Sequence, residues 1–245
     1  MRVSSPTDTP SDPLVSASAQ RSTYTLSEAE SKRLLAGHGV PIAPEAVVDD
    51  PEAAVVAAAG LGFPVVAKLC GDSIAHKTER GLVRLGLVDS AAVQAAAGEL
   101  LSLATVDDGP VQVLVAPMIK GSREFIAGLH NDPVFGMTVM LGVGGVLAEA
   151  IKDVCFRLVP ISESDANEMI DDLRSQALLG PFRGEPEVDR ASLVAVLMGL
   201  SAAAQADQRI VSVDLNPLII ADGRPVAVDA LVELAAETGE GSAQR

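Results

Sequence analysis

From Pro64 to Ile161 the chain is a succession of short β-branched runs cut by turn residues: PVVAKL, GLVRLGL, VQVLVAPMI, REFIAGLH, VFGMTVMLG and DVCFRLVPI. HNDP, between two of them, reads as a hairpin turn. Two further strands near the C-terminal end, IVSVDLNPLII and PVAVDALVEL, flank the turn ADGR. Strands gathered in this way between helices, several of them as hairpins, predict an α+β fold with antiparallel sheets rather than a doubly wound parallel sheet.

Helical signals separate these strand groups. TLSE places Glu28 three residues after Thr25, the spacing of a capping box, and Leu26, Ala29, Leu34 and Leu35 form the apolar face of a helix that Gly37 and Gly39 end. Asp50 and Pro51 open an alanine-valine helix that Gly60 is expected to stop. Further helices are expected over Ala91–Ala104, after Ser162 with Asp165 behind it, and over Ala191–Ala206 after Asp189. Residues 1–24 and 237–245 are rich in small and polar side chains, and both are expected to be disordered.

Composition excludes several functions. Acidic residues outnumber basic ones to give a net charge of −15, and aromatics make up only 2% of the 245 residues. Nucleic-acid binding asks for basic patches and stacking rings, so it is disfavoured. No run approaches the ~18 apolar residues of a membrane span. Cys70 and Cys155 lie far apart with no CxxC or Cys/His cluster, which speaks against a zinc site or a disulfide framework and for a reducing, cytoplasmic setting.

Because only five residues are lysine, each position carries weight. Lys68 interrupts the apolar run PVVAKL, where an ammonium is costly unless it meets an anion. It is either a cation on a rigid strand aimed at a ligand phosphate or a strand-edge lysine turned to solvent. His76 and Lys77 follow in IAHKTERG, a solvated hairpin tip or a cationic loop able to close over a polyphosphate. In VDLNPL, Asp214 and Asn216 alternate and so share one strand face, and Asp229 on the next strand can pair beside them. Two carboxylates and an amide oxygen are hard ligands suited to magnesium; a plain turn with surface charges is the other reading. Glu124 heads an apolar strand, and the preceding VLVAPMI could offer its backbone to an adenine edge. No GxxxxGK[ST] is present, no GxGxxG follows a strand, and Gly142-Val143-Gly144-Gly145 is more often a tight turn than a phosphate loop.

Taken in order and spacing, PVVAKL, IAHKTERGLV, VLVAPMI, GSREFIAGLHNDPVFG, GVGG, KDVCFRL, VDLNPL and VDA resemble the ATP-grasp domain of NDP-forming acyl-CoA synthetases. The resemblance is nearest to the β subunit of ADP-forming acetate–CoA ligase and covers about Thr25 to Leu234. It implies two α+β lobes with largely antiparallel sheets clasping a nucleotide, one over residues 25–112 with the phosphate-binding loop and one over 113–236 with the metal site. It implies that Lys68 and Lys77 contact ATP phosphates, that Val115, Ala116 and Met118 form the adenine hinge, and that Glu124 supports the ribose or the metal. Asn216 and Asp229 would hold Mg2+ with Asp214 beside them, and His76 would relay phosphate between ATP/ADP and a phosphohistidine of a CoA-binding α-type subunit. The implied activity is that of the ATP-binding subunit of an acid–CoA ligase (ADP-forming) in a hetero-oligomer. Leu82, Ala116, Ser212 and Leu231 depart from the family pattern, and they point to the other reading, a catalytically impaired ATP-binding regulatory or sensor subunit.

Overall fold

The computed structural model describes residues 22–236 apart from 75, 76, 78, 79 and 147. Among these, two antiparallel sheets carry the fold. Four strands, β2 (Ala46–Val48), β3 (Val65–Cys70), β4 (Val83–Leu87) and β5 (Gln112–Pro117), assemble in the order β2-β5-β3-β4. Seven strands form the other sheet: β1 (Thr23–Thr25), β6 (Glu124–Asp132), β7 (Gly136–Val143), β8 (Val154–Leu158), β9 (Ile210–Ala221), β10 (Arg224–Ala227) and β11 (Leu231–Ala235). Its order is β1-β11-β9-β6-β7-β8, with β10 on β9. The expected α+β class with antiparallel sheets is the class observed. The smaller sheet extends through Pro117, past the boundary expected after residue 112, because β5 pairs with β2 and β3.

Helix α1 (Glu28–Ala36) lies between the sheets; α2 (Pro51–Leu61) and α3 (Ser90–Ser102) cover the four-stranded one. A single turn, α4 (Ala148–Ile151), precedes β8, and α5 (Glu163–Asp172) and α6 (Arg190–Ala206) cover the seven-stranded sheet. Three helices start on caps that the sequence signals, Asp50, Ser162 with Asp165, and Asp189, and Asp89 caps α3. Two local expectations need correction. The capping box of α1 is Ser27 with Glu30, not Thr25 with Glu28, because Thr25 is held in β1. Gly60 stays inside α2, and Gly62, at φ +88°, ends it, since its left-handed backbone turns the chain out of the helix.

Thr23 and Tyr24, expected to be disordered, belong to β1: Thr23, Tyr24 and Thr25 pair with Ala235, Leu234 and Glu233. Residues 1–21 and 237–245 of the two expected disordered segments lie outside the described residues. The PVAVDALVEL run is two strands rather than one. β10 and β11 both lie against one edge of β9, and Val228, Asp229 and Ala230 form the gap between them. Where β6 meets the other edge of β9, the register slips so that Asn216 and Pro217 together face Ile126, a β-bulge. Asp222 and Gly223 close the β9–β10 hairpin, both with positive φ, as a two-residue primed turn requires.

Each sheet has its own apolar core. Leu69, Leu82, Leu100 and Val115 belong to the one beneath α2 and α3, and Phe125, Leu141, Leu197 and Leu215 to the one beneath α5 and α6. Ala, Val, Leu and Ile fill these cores almost alone, as the scarcity of aromatic residues requires. No helix among the described residues is long and apolar enough to cross a membrane. β6 and β9 approach so closely at Gly128 that a Cβ there would collide with the carbonyl oxygen of Val213. Gly128→Ala is therefore expected to lower stability by about 1–3 kcal/mol, read as a lower urea midpoint at unchanged slope.

Candidate functional site

Along β3 the pleat divides the side chains between two interiors. Val65, Ala67 and Leu69 enter the core beneath α2 and α3, while Lys68 and Cys70 are buried on the opposite face, towards α1. Ala29 of α1 packs there against Cys70, Leu114 and Ala116, so the helix start is pinned to this face of the sheet. The first residue of that helix, Glu28, is 2% exposed, and it is the partner that the Lys68 ammonium finds.

The Glu28 carboxylate gathers three of the five lysines. Its Oε1 accepts hydrogen bonds from Lys68 Nζ at 2.6 Å and from Lys32 Nζ at 2.7 Å. Lys77 Nζ lies 3.1 Å from Oε2, an ion pair without hydrogen-bond alignment. Lys32 also pairs with Glu45 at 2.7 Å. From the other sheet, the gap between β10 and β11 presents the Val228 carbonyl, which accepts from Lys68 at 2.9 Å, and the Asp229 carboxylate, 3.8 Å from Lys68 and 3.6 Å from Lys77. Three ammoniums thus face three carboxylates where the two sheets meet.

Electrostatics follow from this geometry. Burial pushes the Glu28 carboxyl up, but Lys68, Lys32 and Lys77 outweigh it and hold its pKa at about 2. Burial pulls the Lys77 ammonium down, and Glu28 and then Asp229 more than reverse this, leaving it raised. Asp229 is raised, chiefly by loss of solvent, against the pull of Lys68 and Lys77. Asp214 is raised by loss of solvent and then by the charge of Asp229, with the Asn216 side chain opposing.

The expected site residues divide into groups. Lys68, Lys77 and Asp229 come together. Asp214 and Asn216 do share one face of β9, on either side of the buried Leu215, but Asp229 lies in the β10–β11 gap rather than at a paired strand position. Among the described residues no three His, Cys, Asp or Glu side chains form a metal cluster. The donor set is two carboxylates and one amide, and each carboxyl is raised in its present surroundings. Carboxylate and amide oxygens are hard donors, the kind that Mg2+ takes.

Glu124 heads β6 above the glycine cluster, where its carbonyl accepts from Gly144 N at 2.8 Å. Gly145, at φ +83°, makes the tight turn that the cluster suggested. Asn216, Ile126, Met140, Gly145, Lys152 and Phe156 border a cleft of about 600 Å3 beside it. In the expected hinge, the Val115 side chain enters the core under α2 and α3, so only its backbone could serve a ligand, and that backbone is paired on both edges. Ala116 pairs only with Val66, and Met118 N donates to Pro64 O at 3.0 Å. His76 lies outside the described residues. His130, expected in the hairpin turn, sits on β6 opposite Thr138.

The departures at residues 82, 116 and 212 have visible surroundings. Leu82 is buried in the core beneath α2 and α3, Ala116 packs with Ala29 and Cys70, and Ser212 Oγ donates to Glu233 Oε2 at 3.0 Å. An acid at position 212 would set like charges side by side. Leu231 lies opposite Asp214. Sequence reading missed Glu28, Lys32 and Glu45. The available signal was the i,i+4 spacing of Glu28 and Lys32 on a helix face, together with the need of Lys68 for a counter-charge.

Two α+β units meeting at a cluster of lysines and acids define an ATP-grasp domain, and the chain belongs to that family: the ATP-grasp domain model matches residues 17–234. The β subunit of acetate–CoA ligase (ADP-forming) I from Pyrococcus furiosus is 32% identical over 208 residues, 84% of this chain and 90% of that protein. The 4-hydroxybutyrate–CoA ligase (ADP-forming) of Nitrosopumilus maritimus is 33% identical over 198 residues, 80% of this chain but only 28% of that longer protein. Among solved structures, the dinucleotide-forming acetyl-coenzyme A synthetase 1 of Ca. Korarchaeum cryptofilum, bound to coenzyme A and Mg-AMPPCP, matches with a TM-score of 0.72 at 34% identity. The match covers 84% of this chain and 91% of that one.

The depressed Glu28 carboxyl has a consequence for acid stability. Its folded-state pKa lies below the ordinary 4.5, so its contribution is present above that value and is lost as pH falls towards about 2. The urea midpoint is expected to drop across this window, and Glu28→Gln to flatten that part of the curve.

Proposed function

We propose that this chain is the ATP-binding, β-type subunit of an ADP-forming acid–CoA ligase that acts with a CoA-binding α-type partner. The observation that carries the reading is the meeting of Lys68 and Lys77 with Asp229 across the two sheets, in a chain spanning 90% of a β subunit's length. With its partner it would convert acyl-CoA, ADP and phosphate to acid, CoA and ATP, or run the reverse. Homology to the named ligases supports the chemistry, and the cytoplasmic setting expected from the two separate cysteines belongs to the same reading.

Each role follows from what the side chain can do. Lys68 and Lys77 would bind the polyphosphate and offset charge on its oxygens. The backbone from Val115 to Met118 would meet the adenine edge, and Glu124 the ribose. Asp214, Asn216 and Asp229 would hold magnesium, whose charge neutralises phosphate oxygens. His76 would accept a phosphoryl group from the partner's phosphohistidine, one N–P bond breaking as another forms. It would then surrender the group to the terminal phosphate oxygen of ADP. A phosphoramidate keeps high transfer potential, so the relay loses little free energy.

Incubation with Mg-ATP and the α-type partner, followed by mapping of acid-labile phosphate, tests this directly. Label is expected at His76 and is expected to vanish in His76→Asn. Tight ATP binding with no label and no acyl-CoA turnover would instead mark a sensor. Lys68→Ala is expected to stay folded by circular dichroism and to lose ATP binding measured by calorimetry; unchanged affinity would overturn the phosphate assignment.

A further inference from the structure

Glu28 has no part in the phosphoryl transfer outlined above, yet it touches both lysines assigned to the phosphates. Lys68 is fixed on a strand, whereas Lys77 is carried by the loop between β3 and β4. Their ammoniums are held side by side by opposite oxygens of this one carboxylate, Oε1 for Lys68 and Oε2 for Lys77. Neither lysine is exhausted by these contacts. Lys68 commits two of its three N–H donors, to Glu28 and to the Val228 carbonyl, and Asp229 at 3.8 Å is beyond hydrogen-bond reach. Lys77 has Asp229 at 3.6 Å, also too far for a hydrogen bond. Both ammoniums therefore keep donors for an incoming anion.

We propose that Glu28 is a positioning residue of the nucleotide site, a carboxylate that clamps the Lys68 and Lys77 ammoniums into a ready-made pair for a polyphosphate. The inference rests on the reading of these lysines as phosphate ligands. Two desolvated ammoniums repel each other, and the one on a loop can retreat to water. A carboxylate between them cancels the repulsion and fixes their spacing before ligand arrives, so binding does not have to order them. Glu28 suits this task because it is rigid itself. It sits at the first position of α1, and Ala29 behind it is packed on the four-stranded sheet.

Glu45 provides the matched control. It shares Lys32 with Glu28, at the same 2.7 Å, but has no ion pair to Lys68 or Lys77 among the described contacts. Removing either carboxylate costs Lys32 an ion pair; removing Glu28 alone also releases the phosphate cations.

The test uses the full chain and three probes: Mg-ATP, tripolyphosphate and adenosine. Glu28→Gln is expected to weaken Mg-ATP and tripolyphosphate by about tenfold or more, leave adenosine affinity unchanged, and lower the melting temperature. Glu45→Gln is expected to lower the melting temperature as well, with all three affinities within about twofold of wild type. Should Glu28→Gln fail to fold, Glu28→Asp carries the test, because it keeps the charge but is one methylene too short to span both ammoniums; the same selective loss is expected. Wild-type affinity for tripolyphosphate in the folded Glu28 variant, equal loss of adenosine, or an equal loss in Glu45→Gln overturns the positioning role. Lys68→Ala in the same assay separates the two levels. If it binds Mg-ATP normally the phosphate reading itself falls, whereas its loss beside an unaffected Glu28 variant removes only the role of Glu28.

Discussion

A carboxylate sealed among three ammoniums, where two sheets face one another, sets the terms for everything around it. Isolated in a protein interior, any one of these charges would be costly to desolvate, and removing one member of a buried ion pair typically costs about 3–5 kcal/mol. Glu28 is tolerable because Lys32, Lys68 and Lys77 surround it, and they are tolerable because Glu28, Glu45 and Asp229 answer them. The cluster joins a helix, a strand and a loop to the break in the opposite sheet. Apolar packing fills each core; this charge balance joins α1 and the β10–β11 gap to β3.

The site is assembled from interruptions in regular structure. Had β10 and β11 been one uninterrupted strand, Asp229 would have been a ladder position beside β9; as it is, Val228 keeps its N–H on the Pro217 carbonyl and turns its own carbonyl to Lys68. The gap leaves the carbonyl of one and the carboxylate of the other free to meet Lys68. Opposite, the bulge at Asn216 and Pro217 re-aims the β9 backbone where it passes Ile126. Such irregularities interrupt the ladder, and the bulge falls on the strand that carries Asp214 and Asn216.

Much of this was legible in the residues. The short β-branched runs became strands of antiparallel sheets, and Asp50, Ser162 and Asp189 became helix caps. Lys68 announced itself because a cation in an apolar strand needs an anion. What sequence could not supply was the identity of that anion. Glu28 precedes Lys68 by forty positions, and its local surroundings fit a capping acid, so the helix-start pattern absorbed it. The error at Thr25 had the same source. Pairing with the last strand, a contact between opposite ends of the fold, decided that residue's conformation, and local pattern carries no trace of such a contact. Gly60 was misjudged for a different reason: a helix interior tolerates glycine, and the stop signal was the positive φ at Gly62.

The pairing of β1 with β11 brings the way into the fold and the way out of it to one corner. Thr23 and Ala235 face each other on adjacent strands of the seven-stranded sheet. In such an arrangement the unit can be spliced into a larger chain or stand beside a separate one with the same internal wiring. That geometry suits a family in which the match covers 90% of one relative and only 28% of another.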